Sequence, residues 1–118
     1  MPNNQLVFAE IAAGNCERTG AAPGDKLQGA QGCTVVAGTT GLLQVTLSPP
    51  NDGLAAADLI ITHNPGFGTS KGGGGMSTSL SSLSSGTFII TLWDQTTVPP
   101  VAIDGNVHFR VTRKYQNQ

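Results

Sequence analysis

The chain has 118 residues, the size of one domain, and only 11% of them are charged against about 25% in an ordinary soluble domain. Glycine (16) and proline (7) disfavour helices, and 38% hydrophobic residues falling in short clusters suffice for a folded core. A net charge of −1 lacks the footprint of a binder of nucleic acid or anionic membranes, no apolar run approaches the roughly 18 residues of a membrane span, and the start, MPNNQLVFAEIAAG, carries no basic export-signal region.

In chain order, residues 1–5 read as a polar terminal arm, and QLVFAEIAA (Gln5–Ala13) admits a strand or a short helix, with its β-rich surroundings favouring the strand. Cys33–Ala37 and Leu42–Ser48, joined by Gly38-Thr39-Thr40-Gly41, form a hairpin pattern that turns Leu43, Val45 and Leu47 inward. Ala56–His63 is an apolar run of strand length, bounded by Asn51-Asp52-Gly53 and Asn64-Pro65-Gly66.

Residues 65–86, PGFGTSKGGGGMSTSLSSLSSG, are a Gly/Ser-rich insertion longer than the roughly 12–15 residues at which structureless connections become uncommon. Either part of it is an extra strand with Met76, Leu80 and Leu83 as apolar contacts, or it is an arm that orders against a neighbouring subunit, the reading applied to Gly66–Ser85. GTFIITLWD (Gly86–Asp94) puts Phe88, Ile90 and Leu92 on one face and Ile89, Thr91 and Trp93 on the other, the pattern of a strand with both faces partly covered. In NVHFRVTRKY (Asn106–Tyr115), Val107, Phe109, Val111 and Tyr115 alternate with His108, Arg110, Thr112 and Lys114, a half-buried strand; residues 116–118 read as a second short arm. Six to eight short strands with this punctuation predict an all-β fold, a single antiparallel sandwich or jelly roll, with Phe88, Ile90, Leu92, Val107, Phe109 and Val111 in one core.

Chemistry-bearing residues are sparse. GFGTSKGGGG imitates a phosphate loop, but Ser70 precedes Lys71 and Gly72 follows it, where a phosphate loop requires Gly-Lys followed by Ser or Thr. A metal site on His63 or His108 would need further ligands from Asp58, Asp94 or Asp104, and no spacing unites them. No serine lies in a nucleophile elbow, and neither catalytic, cofactor nor metal residues are assigned. Cys16 and Cys33 read as free thiols, with pairing left open. Trp93 reads as core and, with Phe67, as the alternative for stacking on a sugar. Arg110, Arg113 and Lys114 concentrate half of the basic residues near the C-terminus, suited either to pairing with a partner's acids or to protecting a sheet edge.

A surface so poor in charge, with its 35 Ser, Thr, Asn and Gln, can be covered by other protein at little desolvation cost. Over about residues 27–115, the succession of GTTGLLQVTLS, the Pro-Pro-Asn-Asp-Gly turn, an apolar strand, the Ser/Gly-rich insertion and the NVHFRVTR strand resembles the small β-sandwich modules of bacteriophage virions: head-decoration proteins, capsid spikes and fibre heads. The resemblance implies a non-catalytic structural protein of the virion, made in the host cytoplasm. It would be trimeric or otherwise oligomeric, bound to the major capsid protein or another virion protein, and independent of cofactors, nucleic acid and membranes. Its expected assembly contacts are Phe67, Lys71, Met76, Leu80, Leu83, Arg110, Arg113 and Lys114. The alternative is a β-sandwich that binds a glycan or host surface through Trp93, Phe67 and loop amides.

Overall fold

The computed structural model describes residues 6–18, 27, 31–66 and 75–116. The chain is an all-β sandwich of two antiparallel sheets. Its strands are β1 (Leu6–Glu17), β2 (Cys33–Ala37), β3 (Leu42–Leu47), β4 (Leu59–Pro65), β5 (Met76–Ser84), β6 (Thr87–Asp94), β7 (Val101–Ala102) and β8 (Asn106–Gln116). Sheet A has the order β1-β8-β4; sheet B runs β2-β3-β6-β5, with β7 added to the end of β6. β8, the segment of clearest two-residue period, has partners on both sides, as do β3 and β6.

All six residues expected in one core are buried, from 0% exposure at Ile90 and Val111 to 3% at Phe109. Leu43, Val45 and Leu47 join them from β3, and Ala12 and Cys16 from β1. On the other face of β6, Thr91 is buried and Ile89 and Trp93 are half-buried, as expected of a strand with both faces partly covered. Tyr115, assigned by its parity to the inward set, is instead exposed because the core ends at Val111.

Three boundaries differ from the sequence pattern. Ala56–Asp58 is a single 3-10 turn rather than strand, and β4 starts at Leu59 and runs through Asn64-Pro65. Pro65 is tolerated there because β4 is an edge strand, where a missing N–H breaks no ladder on the open side. The first strand extends past Ala13 to Glu17, with a bulge between Glu10 and Ala12 that resets which residues face the core. The insertion supplies a strand: β5 pairs with β6 from Met76 opposite Asp94 to Ser84 opposite Thr87. Its turn back into β6 uses Gly86 at φ +73°, where a Cβ would lie 2.1 Å from the Asp52 carbonyl oxygen, so no other residue fits.

Candidate functional site

Three surface features stand out, and each follows from strand alternation. The first is the outer face of sheet A. The register stacks Asn15, His108 and Asn64 in one cross-strand row, Ala13, Arg110 and Thr62 in the next, and Glu10, Thr112 and Ile60 below them. The small residues flanking Arg110 leave a hollow of about 330 Å³. Arg110 bridges out of it to Glu10, Nε to Oε1 3.0 Å, in an exposed pair of little energetic weight.

The second is the far end of the same sheet. Strands β1 and β8 continue for three pairs beyond the last pairing of β4, Leu59 with Arg113. This two-stranded ribbon leaves Val7 (43%), Phe8 (50%) and Tyr115 (37%) exposed, beside exposed Lys114. The Arg113 guanidinium lies 4.4 Å from the centre of the Tyr115 ring, and its Nη1 donates to Asn51 Oδ1 at 2.9 Å.

The third is a groove of about 510 Å³ on the outer face of sheet B, lined by Ser77, Thr78 and Ser79 of β5, Trp93 of β6, and Gln95 and Pro100 beyond it. Trp93 is therefore not a core residue: its parity opposes that of Leu92, and it stands half-buried across from Ser77. Its Nε1–H donates to Ser79 Oγ at 2.7 Å, and Gln95 Nε2 donates to Ser77 Oγ at 2.7 Å.

The residues expected to make assembly contacts are not brought into one patch. Arg110, Arg113 and Lys114 share β8, but Arg113 points to the opposite face of the sheet from the other two. Met76 and Leu80 lie on β5 in sheet B. Met76 packs half-buried against the core, while Leu80, 40% exposed, borders a narrow crevice with Leu54, Leu59 and Ile61. Phe67, Lys71 and the side chain of Leu83 lie outside the described residues, as do residues 1–5, 117 and 118 of the expected arms; Gln116 ends β8.

The two histidines occupy opposite faces of sheet A. His108 faces outward, whereas His63 faces inward, and its Nδ1 is 2.7 Å from Thr78 Oγ1, joining the edge strands of the two sheets. Among the described residues no carboxylate joins that pair, and no group of three or more His, Cys, Asp or Glu is placed to hold a metal ion. Cys16 and Cys33 are free thiols. Burial, followed by the nearby Cys33, pushes the Cys16 pKa up to about 11; burial also raises that of Cys33, against a hydrogen bond from the Gln31 backbone.

Arg18, to which the sequence pattern gave no role, is 8% exposed at the end of β1. Its Nη1 donates to the carbonyls of Thr39 (2.6 Å) and Leu42 (2.7 Å), and Asp104 Oδ1, 3.8 Å from its Nε, accepts the Gly41 N–H at 2.9 Å. This buried cluster ties the β2–β3 turn to the segment that enters β8. An isolated Arg beside a strand end carries no local signal of such a role, because Thr39, Leu42 and Asp104 are all more than 20 residues away.

No protein-family model, no curated protein and no solved structure matches this chain.

Proposed function

We propose that this sandwich is a non-catalytic structural module of a bacteriophage virion, which decorates or reinforces the capsid through contacts with neighbouring copies and with the capsid protein. The observation that carries the reading is the β1–β8 ribbon, which runs past the core and holds Val7, Phe8 and Tyr115 in solvent beside Arg113 and Lys114. Full burial of each such side chain contributes roughly 1.5–3 kcal/mol, which favours a protein partner for the ribbon. A chain with only 11% charged residues supports the same reading, since few charges need be stripped of water when subunits meet. The neighbouring subunit assigned to the ribbon is a second copy of this chain, in a trimer.

Sedimentation of the purified protein tests the self-association, and pull-down on capsids tests the decoration. The expected result is a trimer that dissociates when Phe8→Asp and Tyr115→Asp are combined, with the β-type circular dichroism retained. A wild-type chain that stays monomeric at high micromolar concentration and does not bind capsids removes the reading.

A further inference from the structure

We propose that the groove beside Trp93 binds a neutral saccharide, a function separate from the assembly role of the ribbon at the other sheet. The argument rests on what the groove presents to a ligand and on what it lacks. Trp93, Ser77, Ser79, Gln95 and Pro100 contribute an aromatic ring, two hydroxyls, an amide and a pyrrolidine ring, with no charged side chain among them. An anionic or cationic ligand would surrender its hydration there without a counter-charge, whereas a neutral polyol loses little. About 510 Å³ falls within the range of small-molecule sites and holds one or two sugar rings.

The hydrogen-bond inventory is specific. A serine hydroxyl has one donor and two acceptor sites, and an indole N–H can only donate. Because Trp93 Nε1 donates to Ser79 Oγ and Gln95 Nε2 donates to Ser77 Oγ, both hydroxyl protons remain to be donated elsewhere, and Gln95 keeps its Oε1 acceptor. The two bonds also fix the orientation of the indole and the amide before any ligand arrives, which lowers the ordering cost of binding. The groove thus sets two donors and an acceptor beside an aromatic ring. A pyranose matches that array: its C–H face suits the negative face of the indole, and its ring hydroxyls both donate and accept.

Trp93 is the only tryptophan, so tryptophan emission, excited where Tyr115 does not absorb, reports on this groove. The full chain is titrated with tetramers of glucose, mannose, galactose and N-acetylglucosamine, alongside polygalacturonate fragments and sialyllactose as anionic probes. The expected result is a saturable change in Trp93 emission with at least one neutral tetramer. The paired variant Ser77→Ala/Ser79→Ala, which keeps the indole, weakens that binding by about tenfold while its circular dichroism is unchanged. Four results overturn the proposal: no saturable change with any neutral tetramer, preference for the anionic probes, undiminished affinity in the paired variant, or loss of its native circular dichroism. Trp93→Phe, followed by saturation-transfer NMR on the sugar, retains the stacking surface without the N–H and is expected to bind more weakly than the wild type but measurably; wild-type affinity in this variant also overturns the proposal.

Discussion

The rings of Phe88 and Phe109 meet edge to face across the sandwich, their centroids 6.2 Å apart and their planes at 83°. One ring comes from an inner strand of each sheet, β6 and β8, so this contact joins the two layers within the core. Phe109 reaches its position only because Gly14 lies opposite on β1; a Cβ there would stand 2.3 Å from Phe109 Cε1.

Phe109→Ala is accordingly expected to lower unfolding stability by about 3–5 kcal/mol, the cost of a buried aromatic and the cavity it leaves. Gly14→Ala is expected to cost about 1–3 kcal/mol by overpacking the same ring. Urea denaturation checks both, and the pair Gly14→Ala/Phe109→Leu is expected to be less destabilised than the sum of its parts, because the smaller side chain relieves the clash.

Arg18 supplies the second expectation. Arg18→Met retains most of the apolar stem but removes the guanidinium bonds to the Thr39 and Leu42 carbonyls, which then keep only their backbone partners Leu42 N–H and Gly38 N–H, a loss of about 1.5–3 kcal/mol in the same assay. Asp104→Asn keeps an oxygen acceptor for the Gly41 N–H and is expected to lose only about 1 kcal/mol. Equal losses in the two variants would mean that the charge of Asp104, not the carbonyl bonds, holds the cluster together.

The cysteines make a pH-dependent prediction. The Cys16 pKa is raised from 9.0 to about 11 in the folded chain, so its neutral thiol stabilises the native state fully below pH 9. Between pH 9 and about 11 the unfolded chain loses this proton more readily than the folded one, and stability falls. The urea midpoint is therefore expected to drop over that window in the wild type and to drop less in Cys16→Ala. Thiol-specific labelling in native buffer is expected to modify half-buried Cys33 before fully buried Cys16.

Much of the fold was legible in local pattern. Alternation in NVHFRVTRKY identifies a half-buried strand, because a strand with one face in the core must repeat every two residues, and the β-branched and aromatic run GTFIITLWD identifies a second. The hairpin around Gly38–Gly41 was equally plain, its turn chemistry and inward Leu43, Val45 and Leu47 all being local. The serine-rich β5 was not plain, since MSTSLSSLS has little apolar content and its strand exists through pairing with β6. Tyr115 shows the limit of periodicity, which gives the side of a sheet but not where the opposing sheet ends.

The sequence by itself determined an all-β domain, the strands of GTFIITLWD and NVHFRVTRKY and the low charge of the chain, because these depend on composition and on patterns among near neighbours. Alternation along β8 also put Arg110 and Arg113 on opposite faces, whereas tertiary structure alone decided where Trp93 stands, why Gly14 is small and what Arg18 holds. Each of these depends on the register between strands far apart in the chain, and a one-residue shift in that register would move every side chain of the strand to the other face.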